Sequence, residues 1–245
     1  MRFHCPNCSR DEEIVGDRTP RCLACCVKMI PASDYSQLWM SPYTAIIRMR
    51  TISETHGTEL ARTDRRFQKE REAWATGVLG LALTKLKDQE WWIEIETHDG
   101  TPDTKLHYID QTSGGSVIQT RNVEVVDWQE NVDDIMEVIR KKCRRAYPGH
   151  FLLVVSARHG GKELYVDQIV EAMKNIRSPF MEVWVVGVVG LNHLTAFRVA
   201  PRGPTVELGR AELQIAGEQR PFLKRGIRGM TPGFRDLGIT FLPIP

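Results

Sequence analysis

Five of the six cysteines in this 245-residue chain lie before residue 27. Cys5-Pro6-Asn7-Cys8 and Cys22-Leu23-Ala24-Cys25 are two C-x-x-C pairs with 13 residues between them. Each pair lets two thiolates turn onto one ion, and two pairs close a tetrahedral site. The polar stretch between them carries Gly16 and Pro20 and suits a short hairpin or loop. The spacing predicts a zinc ribbon over residues 1–30, with Zn²⁺ held by Cys5, Cys8, Cys22 and Cys25. Cys26 is the alternative to Cys25, though C-x-x-C fits the second pair better. His4 reads as a bystander. Four thiolates leave no open coordination position, so this zinc is expected to be structural. Cys143 falls on a predicted helix face far along the chain, where a small buried hydrophobe is expected.

The ribbon leaves more than 200 residues to account for. Hydrophobic residues make up 42% and charged residues 26%, ordinary values for a globular chain. A chain this long buries a core without staples. The net charge of +2 is too small to argue for nucleic acid, so any electrostatic case must be local. No apolar segment of the kind found in secretory signals follows Met1, and no apolar run is long enough to span a bilayer. The expectation is a cytoplasmic protein with no membrane partner, in a compartment that keeps thiols reduced.

Residues 31–62 read as a connector. Pro31, Pro42 and Gly57 interrupt it, and 46–50 suits a short strand or helix. A helix is predicted over 64–87, where Phe67, Trp74, Val78, Leu81 and Ala82 recur at helical spacing. Glu70 falls on that apolar side and Glu72 nearly opposite. A carboxylate on an apolar face needs a partner or a proton. Three strands follow, at 91–97, 103–110 and 117–128, with residues 112–116 connecting the last two. A second helix is predicted over 132–147, capped by Asn131 and striped by Val132, Ile135, Met136, Ile139, Cys143 and Ala146. The apolar run 151–155 suits a central strand. A third helix at 164–176, a strand at 183–189 and further strands over 193–215 complete the pattern, before an irregular tail from Gly217. The order predicts an α/β fold, a mixed central sheet flanked by helices. The expected domains are the ribbon, the connector, a main domain over 63–200 and a β or irregular extension over 201–245.

Acids stand at particular places in this order. Thr101-Pro102-Asp103 opens the second strand, Val123-Glu124-Val125-Val126 lies near the end of the third, and Glu70 is on the first helix. The arrangement resembles the PD-(D/E)xK nuclease superfamily, the restriction-endonuclease-like fold, over 64–190. The resemblance implies that Asp103 and Glu124 hold Mg²⁺ or Mn²⁺ and that Glu70 is the helix acid. Magnesium accepts such a site, because it takes one or two carboxylates and fills its sphere with water and phosphate oxygens. The bland alternatives are a turn aspartate after proline and a solvated strand glutamate. Val123, Val125, Val126 and Trp128 argue against the second, since they describe a strand covered on both sides.

One position departs from the family pattern. The lysine expected two residues after Glu124 is Val126. In some members of the superfamily this lysine has moved to the following helix. Lys142 lies about 60° round from Ile139 and borders the apolar stripe, whereas Lys141 faces away. Lys142 is therefore the candidate catalytic cation. Its bland alternative is a basic residue favoured by the helix dipole.

Two basic clusters bear on a nucleic-acid partner. Arg140, Lys141, Arg144 and Arg145 surround Lys142, and Arg62, Arg65, Arg66, Lys69 and Arg71 crowd the first helix. Clustered cations give sequence-independent phosphate affinity, although such runs are usually solvated helix faces. The loop Arg158-His159-Gly160-Gly161-Lys162 is a weaker phosphate contact. Glu94 and Glu96 read as ordinary strand-face carboxylates. The expected function is metal-dependent, nuclease-like action on nucleic acid, DNA before RNA, with the ribbon docking DNA or a protein. The alternatives are an inactive DNA-binding module and a zinc-stabilised protein–protein adaptor.

Overall fold

A computed structural model of the chain describes residues 2–4, 11–13, 21, 30–31, 38–95, 101–112, 115–128, 134–147, 150–157, 163–190, 192–217 and 222–224. Its first strands are β1 (Arg2–His4), β2 (Asp11–Glu13), β3 (Ile30–Pro31) and β4 (Leu38–Met40). Helices α1 (Pro42–His56) and α2 (Thr58–Thr63), a 3-10 turn (Arg65–Phe67) and α3 (Gln68–Lys87) follow. Then come β5 (Trp91–Ile95), β6 (Thr104–Thr112), β7 (Gly115–Asp127), α4 (Ile135–Cys143), β8 (Phe151–Ala157) and α5 (Val166–Met173). The last elements are β9 (Glu182–Gly190), β10 (His193–Ala200), β11 (Thr205–Leu208), α6 (Arg210–Gly217) and β12 (Phe222–Lys224).

Nine strands form one sheet in the order β11-β10-β9-β8-β7-β6-β5-β4-β12. β8 runs parallel to both β7 and β9, and every other neighbouring pair is antiparallel. The fold is therefore α/β with a mixed sheet. β1, β2 and β3 form a separate small antiparallel sheet, in the order β2-β1-β3.

Alternation along the strands divides the apolar side chains between the two faces. Trp91, Ile93, Leu106, Val123, Val125, Leu152, Val154 and Trp184 pack with α1 and α3. Leu153, Val155, Val183, Val185 and Phe197 pack on the opposite face with α4 and α5. All seven residues of β8 are buried, as its unbroken apolar run requires for a strand covered on both sides. Each fully buried aliphatic side chain contributes about 1.5–3 kcal/mol.

Helix α3 is buried without a break from Glu70 to Leu83. It lies between the sheet and α1, so it has no solvent face over that length. Small residues make this possible. A Cβ on Gly77 would stand 2.8 Å from the Pro42 carbonyl oxygen, and one on Gly80 would stand 2.8 Å from Pro42 Cγ. α1 thus comes into near contact with the α3 backbone.

Several expectations change here. The stretch 31–62 holds more structure than the short strand or helix expected at 46–50. Ser41 caps α1 by accepting from Thr44 N, Pro42 takes the first turn, and Ala45, Ile46, Met49 and Ile52 enter the core. Periodicity was hidden there by Arg48, which is itself buried. The second helix starts at Ile135, capped by Asp134 Oδ1 on Met136 N, while Asn131 lies outside the described residues. Residues 193–215 hold two strands and then α6, and the tail contributes β12. Among the described residues, no helix is long and apolar enough to cross a membrane.

Candidate active site

The ladder between β6 and β7 runs from Thr112↔Gly115 to Thr104↔Val123. Just beyond it, Asp103 N donates to Val123 O at 3.1 Å, and Asp103 Oδ2 accepts from Val125 N at 2.8 Å. Val123 therefore meets both Asp103 and Thr104, a bulge-like crowding that aims a side chain at the strand end. The Asp103 carboxylate takes over the acceptor role that a further ladder residue would have filled. Glu124 is 3% exposed on β7.

Helix α4 lays Ile135, Met136 and Ile139 on the sheet. Lys142 borders that stripe, so its stem runs along apolar surface and its ammonium reaches inward. It donates to Glu124 Oε1 at 2.5 Å. Tyr147, just past α4, donates its hydroxyl to the same oxygen at 3.1 Å. Its ring is held against Phe151 and Phe180, with centroids at 5.7 and 4.6 Å. Val126 packs against the apolar cluster under α4. Asp103, Glu124 and Lys142 thus share one locality, and Tyr147 joins them.

Glu70, which the resemblance implies as the helix acid, has a buried arginine beside it. Arg48 Nη2 lies 3.5 Å from Glu70 Oε1, and both side chains are buried. Glu72, also on α3, is the helix carboxylate whose charge raises the Asp103 carboxyl. It accepts from Gln68 at 2.8 Å and pairs with Lys69 at 3.0 Å. The apolar stripe does not separate the two glutamates, because α3 is buried throughout from Glu70 to Leu83.

Negative charge is in surplus at this place. Burial raises the Asp103 carboxyl most, then the charges of Glu72 and Glu124, to about 6. The Val125 N–H and Lys142 pull it back only in part. Glu124 Oε2 is buried with no hydrogen-bond partner. A buried carboxylate oxygen without a donor costs free energy, which a cation would offset. Two carboxylates with a bare oxygen fit a hard divalent ion that keeps water and phosphate in its sphere. Among the described residues, no group of three or more His, Cys, Asp or Glu is arranged to hold a metal.

The basic clusters differ in their surroundings. Lys141, Arg144 and Arg145 are exposed beside Lys142, and Arg140 pairs with Asp134 at 3.4 Å. In the other cluster, Arg71 is buried, donates to the Ala61 and Asp64 carbonyls and pairs with Asp127 at 3.5 Å. Arg66 is bound by Asp64, and Lys69 by Glu72. Cys143 packs beside the α4 cluster, and burial pushes its thiol up.

Cys5, Cys8, Cys22, Cys25 and Cys26 lie outside the described residues, as do Glu96 and residues 158–162. The strands on either side of Cys5 and Cys8, β1 and β2, pair antiparallel from Arg2↔Glu13 to His4↔Asp11.

Three features escaped sequence reasoning. Tyr147 carried no signal beyond its place after a helix. Glu72 was signalled by the many alanines and glycines of α3, which mark a helix packed on two sides. Glu94 is a partly buried hub and not an ordinary strand-face carboxylate. It accepts from Trp39 Nε1 at 2.9 Å and Lys105 Nζ at 3.1 Å, and its Oε2 lies 3.1 Å from His107 Nε2. His107 also meets the Thr120 hydroxyl and stacks flat on Trp39, with centroids 4.1 Å apart. Compared with known proteins, the chain matches no family model, no curated protein and no solved structure.

Proposed function

We propose that this chain is a metal-dependent, nuclease-like protein that hydrolyses phosphodiester bonds in nucleic acid, DNA before RNA. The observation that carries the reading is the convergence of Asp103, Glu124 and Lys142. A hairpin supplies two carboxylates, and the next helix supplies the cation missing at Val126. The sequence of elements from α3 through β5, β6, β7 and α4 to β8 supports it. An antiparallel hairpin is followed by a helical crossover to a parallel strand, as the PD-(D/E)xK resemblance implies.

In this reading Asp103 and Glu124 would hold Mg²⁺ or Mn²⁺. The metal would supply an activated water and stabilise charge on the phosphate. Lys142 would present positive charge at the same place, and Glu72 would add to the field that attracts a cation. Lys141, Arg144 and Arg145 would meet the nucleic-acid backbone. A zinc ribbon on Cys5, Cys8, Cys22 and Cys25 would dock DNA or a protein partner.

A second reading has its own support. Lys142 is engaged by Glu124 and Val126, partly buried, packs against the apolar cluster under α4, which suits an inactive, DNA-binding relative of the nucleases. One experiment separates the two. Purified protein is incubated with plasmid and linear DNA in Mg²⁺ or Mn²⁺, beside Asp103→Ala. Cleavage that the substitution abolishes supports the enzyme. Salt-dependent binding without cleavage supports the binding module, and neither activity removes both.

A further inference from the structure

Glu124 has two oxygens in different states. Oε1 accepts from Lys142 Nζ at 2.5 Å and from Tyr147 Oη at 3.1 Å. Oε2 is buried and has no hydrogen-bond partner. Two donors of different strength therefore crowd onto one oxygen. A lone lysine on a flexible stem would not enforce that division, since an ammonium can slide to bridge both oxygens of a carboxylate. The phenol differs. Its ring packs against Phe151 and Phe180, which restricts the directions from which its hydroxyl reaches Glu124.

We propose that Tyr147 is a positioning residue for Glu124, which with Lys142 saturates Oε1 and leaves Oε2 as the oxygen that meets a divalent cation. The proposal rests on the carboxylate-site reading above and adds a residue to it. Tyr147 touches neither metal nor substrate; it acts through the orientation of a ligand. Donors of this kind behind metal ligands typically change metal affinity by about 10–100-fold.

The test is a Mn²⁺ titration of the full chain, following the loss of free-ion signal by electron paramagnetic resonance. Wild type, Tyr147→Phe and Asp103→Asn are compared, with melting temperatures taken without added Mn²⁺. Phe keeps the ring contacts and removes only the hydroxyl. The expected result is about tenfold weaker Mn²⁺ binding in Tyr147→Phe with an unchanged melting temperature, and no binding in Asp103→Asn. Equal affinity in wild type and Tyr147→Phe, with binding lost in Asp103→Asn, overturns the positioning role and spares the site. A melting temperature that falls by more than about 5 °C in Tyr147→Phe makes the hydroxyl a folding element and also overturns it. Mn²⁺ binding that is absent from wild type, or that survives Asp103→Asn, removes the carboxylate site and the inference together.

Discussion

Glu94 and Asp103 belong to neighbouring positions of the same hairpin region, yet their carboxyls are displaced in opposite directions. Glu94 is surrounded by donors. The His107 hydrogen bond leads in holding it down to about 2 against burial, and Trp39 and Lys105 assist. Asp103 has one backbone N–H and a nearby lysine. Burial leads in raising it, with Glu72 and Glu124 adding to the rise, to about 6. Where donors outnumber carboxylates, the acid is part of the fold. Where carboxylates outnumber donors, the protein retains an electrostatic deficit that a ligand can relieve, and perturbed acids in that state mark functional places.

The Arg48–Glu70 pair is a sharper example of the first kind, since both side chains are buried. Arg48→Met should leave a carboxylate in the core and destabilise the fold by about 3–5 kcal/mol. Urea unfolding at neutral pH measures it. A loss under about 1 kcal/mol would show that Glu70 is rescued by other groups, and the division between satisfied and deficient acids would weaken.

Glu94→Gln comes next, with an expected loss of about 2–3 kcal/mol near pH 7. Its folded pKa lies below the ordinary 4.5, so its contribution is present above about 4.5 and disappears as pH falls toward about 2. Wild type should lose stability through that window while the Gln variant stays nearly flat. Parallel acid limbs for the two proteins would assign the acid sensitivity to other carboxylates.

Asp103→Asn should have the opposite sign. The folded pKa is raised from 3.8 to about 6, so the native state binds more protons than the unfolded chain between those values. The unfavourable contribution is therefore absent below about 4 and complete above about 6. Without added divalent cations at pH 7.5, Asn should stabilise the protein by about 1–2 kcal/mol, because it keeps an acceptor for Val125 N and removes the charge. At pH 4 the two should melt together. A destabilised Asn variant at pH 7.5 would break the contrast with Glu94.

The sequence made some of this contrast legible and hid the rest for physical reasons. Strand alternation and the apolar run at 151–155 sufficed for the mixed sheet, because those patterns are local. That Asp103, Glu124 and Lys142 lie near one another was readable because a strand end, a strand interior and the border of a helix stripe each constrain direction. The apolar stripe could not separate Glu70 from Glu72, since the 3.6-residue period ranks faces only where a helix has a wet side, and α3 has none between Glu70 and Leu83. The short strand or helix read at 46–50 is part of the 15-residue α1, whose full extent is obscured because its stripe contains Arg48, buried beside a partner 22 residues away. The Glu94–His107 hub was invisible for a similar reason. Register across β5, β6 and β7 creates it, and no short stretch of chain contains it.

The same contrast separates the two basic clusters, and here the expected effect on stability is the smallest. Arg66, Lys69 and Arg71 are taken up by Asp64, Glu72 and Asp127. Lys141, Arg144 and Arg145 are exposed beside Lys142. Replacing Lys141 and Arg144 with Ser should change stability by no more than about 0.5 kcal/mol per site, because neither supports the core, whereas Arg145 also hydrogen-bonds Tyr147 and is left in place. If they meet phosphates, each one in contact should reduce the slope of log K against log salt by about 0.9 for duplex DNA. Fluorescence anisotropy of a labelled duplex, titrated at several salt concentrations, reads that slope. Arg66→Ser should leave it unchanged, since its charge is already neutralised within the turn. A Lys141→Ser, Arg144→Ser variant with the wild-type slope would move the DNA surface away from α4. No salt-dependent binding by wild type would remove nucleic acid as the partner, and the carboxylates would then need a different phosphorylated or metal-bridged substrate.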